Sequence, residues 1–143
     1  MSASVLLPSA ARTVSGTLVL PGDFTDLASA VFLLDVTNAD TEAGDTLNVY
    51  IQHSPDGVTY DDFVSFAQFI GTAAAANRRA TWSALAAPET EHAATGDAVL
   101  AVGTVVQGPT AGKWRIKWVI VDVATLGNQS FTFSVSMDAQ RRR

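Results

Sequence analysis

Hydrophobic and polar residues alternate along much of this chain with a period of two. The alternation is clearest in Ser130–Met137, where four apolar side chains are separated by serine and threonine. Leu47–His53 repeats the pattern, with three aliphatic side chains on one face. Successive side chains of a β-strand point to opposite faces of its sheet, so this period predicts strands with one buried face and one solvated face.

Six further segments have the length and composition of strands: Val14–Leu20, Ala30–Thr37, Asp62–Ile70, Arg79–Ser83, Ala98–Gln107 and Lys113–Val123. Glycine, proline, asparagine and aspartate separate them, and no segment carries the sustained apolar stripe of an amphipathic helix. Eight short strands separated by such turn-forming residues predict an all-β fold, either a sandwich or a barrel.

The connections between these segments support the prediction. Ser54-Pro55-Asp56-Gly57 places proline and glycine where a β-turn favours them, so residues 47–60 predict a hairpin. Ala39–Gly44 is a second, acidic turn. Gly71–Asn77 contains four consecutive alanines that could form one helical turn, and Ala84–Asp97 is a long loop of the kind on which scaffolds place their contacts.

Lys113–Val123 is apolar along most of one face and on half of the other. Its first face carries Trp114, Ile116, Trp118 and Ile120 and ends with Asp122, and its second begins with Lys113, Arg115 and Lys117 and ends with Val119, Val121 and Val123. Because each sheet of a two-layer sandwich has only one internal face, the apolar half of the second face should be covered by a loop or a neighbouring subunit. Ala30–Val36 is also apolar on both faces. We therefore expect an oligomer.

Composition narrows the class of protein. The chain has 143 residues, no cysteine and two histidines. Its length suits one domain that folds without disulfides or a structural metal. The lack of cysteine excludes disulfide frameworks, thiolate zinc sites, iron–sulfur clusters and thiol nucleophiles. No apolar run is long enough to span a bilayer, and Met1 to Arg12 lacks the pattern of a secretory signal. We expect a soluble domain made in the cytoplasm.

The charge is negative and unevenly distributed. The formal net charge is −5, with nine acidic residues and no lysine or arginine between Thr13 and Asn77, and eight lysines and arginines and five acidic residues from Arg78 onward. This asymmetry fits head-to-tail association, and it fits solvated loop charges equally well. A pI of about 4.7 argues against nucleic-acid binding. The tryptophans and cations of residues 114–118 lie on opposite faces of a strand, so they cannot stack a base and hold its phosphate together.

A group of acidic residues at the hairpin is a candidate ion site. Asp56, Asp61 and Asp62 lie near His53 in the sequence, and calcium prefers such oxygen ligands. Their spacing matches no calcium-binding loop, so we interpret them as turn and strand-edge residues and leave ion binding open.

Catalytic signatures are weaker still. Glu89, Glu91 and His92 could supply acid–base chemistry, but nothing in their spacing defines a mechanism. The chain has no G-x-S-x-G nucleophile elbow and no glycine-rich phosphate loop. We assign no catalytic residue, metal ligand or cofactor, and we expect that the protein is not an enzyme.

Three stretches carry a resemblance to a known group of proteins. Leu6-Leu7-Pro8-Ser9-Ala10-Ala11-Arg12-Thr13 leads directly into the first strand, residues 47–60 form a strand followed by S-x-D-G and an aromatic residue, and Trp114-Arg115-Ile116-Lys117-Trp118 is followed by Phe131–Ser136. With its alanine- and threonine-rich, cysteine-free composition, the chain resembles the small head decoration, or cement, proteins of tailed bacteriophages.

The resemblance implies a jelly-roll-like sandwich of about eight antiparallel strands in two sheets. It also implies a homotrimer that binds the major capsid protein on the outer surface of the virion head and stabilises the shell, with no membrane and no direct nucleic-acid partner. On this interpretation residues 1–12 are an extended amino-terminal arm, 13–138 the sandwich and 139–143 a basic tail. The residues expected to contact the capsid or another protomer are Val5, Leu6, Leu7, Arg12, Val119, Val121, Glu89 and Glu91.

A carbohydrate- or cell-surface-binding module of a phage tail or fibre is the alternative. Such a module would use an exposed aromatic platform, for which Tyr50, Tyr60 and Trp82 are the candidates. Saturable glycan binding that depends on Trp82 would favour it over the capsid hypothesis.

Overall fold

The computed structural model describes residues 3–86, 94–123 and 129–142, and these residues form ten strands in two antiparallel sheets. The strands are β1 (Ala3–Arg12), β2 (Gly16–Val19), β3 (Leu27–Asn38), β4 (Thr46–Ser54), β5 (Asp61–Ser65), β6 (Phe69–Ile70), β7 (Ala76–Ser83), β8 (Thr104–Val105), β9 (Lys113–Val121) and β10 (Phe131–Arg141). The four-stranded sheet has the order β1-β10-β3-β7. The six-stranded sheet has the order β2-β9-β4-β5-β8, with β6 paired to β4. The all-β sandwich predicted from the alternation is confirmed.

The topology is that of one long hairpin wound into a sandwich. Apart from the two-residue strands β6 and β8, strands that have the same place in the order before and after the turn between β4 and β5 pair with each other: β4 with β5, β3 with β7, β2 with β9, and β1 with β10. The pairing of β10 with β3 and of β9 with β4 then joins these four pairs into two sheets. Eight strands arranged in this way form a jelly roll, to which β6 and β8 add two residues each.

The core lies between the sheets and is centred on an aromatic cluster. Trp114 is fully buried, stacks on Phe24 with ring centroids 4.5 Å apart, and meets the ring of Trp82 edge-on at 5.5 Å. Phe63 packs against both tryptophans. Both indole N–H groups donate to backbone carbonyls of residues 108–111, at 3.1 and 2.9 Å. The cluster therefore buries large rings and satisfies their polar atoms.

The amino-terminal segment departs from the sequence prediction. Residues 3–12, expected to form an arm outside the sandwich, form strand β1 and pair with β10 of the same chain. Their pattern is hard to recognise because register shifts interrupt the pairing on both sides of Leu7, and because Pro8 has no N–H to donate. The boundary predicted at residue 12 is therefore wrong, since β1 is an edge strand of the four-stranded sheet.

Four other segments also differ from the sequence prediction. Strand β10 continues to Arg141, so residues 139–141 belong to the sheet and not to a separate tail. The predicted strand Asp62–Ile70 is divided into β5 and β6, and only Thr104–Val105 of Ala98–Gln107 is a strand. The alanines of Gly71–Asn77 form no helical turn, because the chain turns at 71–72 and enters β7 at Ala76.

The described part of the chain contains no helix. It therefore has no helix that is long and apolar enough to cross a membrane.

Candidate functional sites

The amino-terminal residues expected to contact a partner differ sharply in exposure. Leu7 is 3% exposed and belongs to the core, and Leu6 is partly buried against it. Val5 pairs with Ser136 and is 67% exposed on the outer face of the four-stranded sheet. Leu7 is therefore wrong as a contact residue, because its side chain already packs within its own sandwich. Of the three, Val5 presents a free apolar surface.

Arg12 packs against two aromatic rings and donates hydrogen bonds to three backbone carbonyls. Its guanidinium lies over the rings of Trp118 and Phe133, 5.1 and 4.6 Å from their centroids. It donates to the carbonyl oxygens of Pro8, Ala10 and Phe133 at 2.7 to 3.1 Å. Partial burial lowers the pKa of the guanidinium. These contacts hold β1 against β10, which assigns Arg12 a structural position within the chain.

The outer face of strand β9 has a polar half and an apolar half, as its sequence predicts. At the polar half, Arg115 and Lys117 form ion pairs with Asp97 at 3.3 and 3.0 Å. The three side chains are 17, 24 and 47% exposed, respectively. Residues 94–100 thus lie over this half of the face. The cover expected from the sequence is found, but over the cations and not over the valines.

The apolar half of that face forms a patch, which we call the β9 patch, made of Val119, Val121 and Ile70. Val121 of β9 and Ile70 of β6 both pair with Thr46 of β4, so they lie in one row across the sheet. Val121 is 41% exposed and Ile70 51% exposed, whereas Val119 is partly buried. Scattered exposed aliphatic residues are normal on a protein surface, but here Val121 and Ile70 lie on either side of Thr46 in one row across three strands.

A buried polar network holds residues 94–100 onto the sheet. The carboxylate of Asp62, 1% exposed, accepts hydrogen bonds from the side chain of Gln52 and from the backbone N–H groups of Ala98, Val99 and Leu100, at 2.7 to 2.9 Å. Four donors satisfy this buried charge and leave little capacity for another ligand.

Gln52 extends the network across the sheet. Its amide donates to Asp97 at 2.7 Å, and its carbonyl accepts from Arg115 Nε at 2.6 Å. Burial acts to raise the pKa of Asp97, but hydrogen bonds from Gln52 and Lys117 and the charges of Lys117 and Arg115 bring it below its usual value. The network therefore holds residues 94–100 against the outer face of the six-stranded sheet.

The remaining members of the hairpin group are also engaged within the chain. Asp56 Oδ1 accepts from the backbone N–H groups of Thr59 and Val58, which lower the pKa of its carboxyl to about 2. Asp61 accepts from the backbone N–H of Gly96. His53 Nδ1 accepts from the backbone N–H of residue 111 at 2.9 Å. The interpretation of these residues as turn and edge residues agrees with their contacts.

A different acidic group forms where the turn before β4 meets the end of β9. Carboxylate oxygens of Glu42, Asp45 and Asp122 lie within 4.8 Å of one another, and Asp45 is fully buried. Asp45 Oδ1 accepts from the backbone N–H of Val123 at 3.0 Å. Two unit charges this close repel by roughly 3 kcal/mol at an effective dielectric constant of about 20. The sequence analysis noted the acidic turn at 39–44 but had no means of pairing it with Asp122.

Asp40 adjoins this group. It is 5% exposed, and its Oδ1 accepts from the backbone N–H groups of Thr41 and Glu42 at 2.5 and 3.3 Å. Its Oδ2 is buried without a hydrogen-bond donor in the described part of the chain. Burial raises the pKa of Asp40, and the adjacent carboxylate of Asp45 raises it further.

The three aromatic residues considered for glycan binding are buried. Tyr50 and Tyr60 are each 5% exposed and Trp82 is 2% exposed. The ring of Tyr60 is covered by the guanidinium of Arg115 at 4.0 Å. None of them offers an open platform for a sugar ring. Glu89, Glu91 and His92 lie outside the described residues.

Comparison with known proteins identifies no family for this chain. No protein-family model matches it, and no curated protein matches it. Among solved structures, it is similar to a chain of one described as "Structure of infectious bursal disease virus Gx strain", with 14% identity and a TM-score of 0.45. The match covers 95% of this chain and 30% of the other, so this chain spans less than a third of the viral chain's length. A likeness this distant does not establish a shared function.

Proposed function

We propose that this protein is a structural virion protein of a tailed phage. In this proposal it is a decoration, or cement, protein that binds the major capsid protein on the outer surface of the head and acts by binding and not by catalysis. The sequence resemblance to such proteins motivates the proposal. The observation that carries it is the β9 patch, because Val121, Ile70 and the partly buried Val119 lie together on the outer face of a sheet, where a partner would cover them.

The described contacts favour this function over glycan binding. A sugar-binding module needs an exposed aromatic residue beside converging polar groups. Tyr50, Tyr60 and Trp82 are buried, and the polar groups near Tyr60 are held in the network of Gln52, Asp62 and Arg115. In the proposal, the homotrimer and the capsid contacts use the β9 patch and the exposed side chain of Val5.

Val121→Lys tests the proposal. Burying Val121 in an interface contributes up to about 1.5 kcal/mol, so a charged replacement weakens association by roughly tenfold or more. Val58→Lys is the matched control, since Val58 is 81% exposed on the hairpin turn and away from the patch. The assays are co-sedimentation with purified heads of the virus that encodes the chain, and solution mass by light scattering.

The expected wild-type mass is three times 15.0 kDa, with saturable head binding that Val121→Lys weakens and Val58→Lys does not. Binding to heads that Val121→Lys leaves unchanged would remove the β9 patch from the proposal. Failure of the wild-type protein to bind heads at all would overturn the decoration function itself.

A further inference from the structure

We propose that Asp40, Glu42, Asp45 and Asp122 form a binding site for a divalent cation, with Ca²⁺ the preferred ion. The site lies at the end of the sandwich, where the turn before β4, the turn after β6 and the residues following β9 meet. It is independent of the function proposed above, and it differs from the hairpin group near His53 that the sequence suggested.

The first step is that three chain segments are packed together at this point. The backbone N–H of Gly71 donates to the carbonyl of Asp45 at 2.7 Å, and the N–H of Thr72 donates to the carbonyl of Asp40. A Cβ on Gly71 would lie 1.6 Å from the carbonyl oxygen of Glu42, so only glycine fits there. The hydrogen bond from Val123 to Asp45 holds the third segment. The carboxylates are therefore positioned by backbone and not merely gathered on a flexible loop.

The second step is chemical. Residues 39–45, 70–73 and 121–123 contribute four carboxylates and contain no lysine, arginine or histidine. The oxygens of Glu42, Asp45 and Asp122 that lie within 4.8 Å of one another have the spacing of ligands around one ion. Oxygen-only ligand sets suit Ca²⁺ and Mg²⁺. Ca²⁺ accepts irregular shells of six to eight oxygens, whereas Mg²⁺ demands a near-ideal octahedron.

The third step is a buried oxygen without a donor. Asp40 Oδ2 is buried, has no hydrogen-bond donor among the described residues, and lies beside the carboxylate of Asp45. A buried carboxylate oxygen in this position is costly unless a proton or a cation approaches it. In the proposal a cation bound at Asp45 is the partner of this oxygen, and the burial of Asp40 Oδ2 distinguishes the group from acidic residues that are simply solvated.

The test uses the full chain freed of metal with a chelator. Thermal unfolding and calorimetric titration are measured with CaCl₂ and with MgCl₂, up to about 10 mM, which saturates even weak sites of this kind. The expected result is saturable binding of one Ca²⁺ per chain with a higher Tm, and a smaller shift with Mg²⁺ at equal concentration.

Two variants, Asp122→Asn and Glu42→Gln, each remove one charged ligand, and each is expected to weaken Ca²⁺ binding about tenfold or more. Because Glu42 and Asp122 also have contacts within the chain, the Tm of each metal-free variant is measured as its own baseline. Asp138→Asn is the control, since Asp138 is exposed on the other sheet. If one variant fails to fold, the other decides the outcome. Absence of a Ca²⁺ response in the wild type, or an unchanged response in a folded ligand variant, overturns the site.

Discussion

Replacing Leu7 by alanine tests whether the amino terminus is part of the fold. Leu7 is 3% exposed, and its side chain belongs to the core between the two sheets. Truncating a buried leucine removes its transfer free energy and leaves a cavity, which together cost about 2–5 kcal/mol. Because Leu7 lies on an edge strand between two register shifts, the surroundings can relax partly, and we expect a loss of about 2–3 kcal/mol.

Val5→Ala is the matched control on the same strand. Val5 is 67% exposed, so its truncation should change the free energy of unfolding by no more than about 0.5 kcal/mol. Urea unfolding, followed by the fluorescence of the buried tryptophans, reports both variants. With an m-value of about 2–3 kcal/mol/M, Leu7→Ala should lower the midpoint by roughly 1 M and leave the slope unchanged.

The alternative is that residues 1–12 form an arm that orders only on a partner. In that case the two variants would unfold at the same urea concentration as the wild type, and deletion of residues 1–12 would leave the Tm unchanged. A difference between Leu7→Ala and Val5→Ala below about 0.5 kcal/mol would refute the assignment of β1 to the sandwich.

Two further predictions concern the carboxylates of the hairpin. Asp62→Asn should destabilise the protein by about 3–5 kcal/mol, because an amide cannot accept all four hydrogen bonds and turns donors toward buried N–H groups. Asp61→Asn, which affects one accepted hydrogen bond, should cost much less. If chemical denaturation gives the two variants equal losses of unfolding free energy, Asp62 does not hold residues 94–100 as described. The second prediction concerns pH. Since the pKa of Asp56 is about 2 when folded, its contribution to stability is present above its unfolded pKa of about 3.9 and is lost as pH falls through 2. Its carboxyl carbon should therefore still report an ionised group at about pH 3 by NMR, and a titration midpoint near 4 would show that the Thr59 and Val58 hydrogen bonds are absent in solution.

The parts of the fold that follow from local rules could be predicted from the sequence. The alternation in Ser130–Met137 and Leu47–His53 predicts β10 and β4, and Ser54-Pro55-Asp56-Gly57 predicts the turn between β4 and β5. Strand β1 could not be recognised in this way. Its pairing is interrupted by register shifts, so Leu7 reaches the core without the regular period that signals a strand.

The sites depend on register, which the sequence does not display. Gln52, Asp62 and Arg115 come from three strands and meet only because Gln52 pairs with both of the others. Asp45 and Asp122 meet because β4 and β9 pair with Thr46 opposite Val121, which brings the residues at those strand ends together. An acidic turn is visible in the sequence, but its partner across the sheet is not.

The edges of the two sheets bear on how this sandwich can associate. An open edge strand invites pairing with another chain, and proteins prevent this with short strands, charges, proline and bulges. In the described part of the chain, all five edge strands carry such features. Strand β1 has Pro8 and two register shifts, β7 has exposed Arg78 and Arg79, β2 has four residues, and β6 and β8 have two each. Strand addition is therefore disfavoured at these edges, which favours a face of the sandwich for the association proposed above and makes Val121 on the β9 patch the most direct position at which to test it.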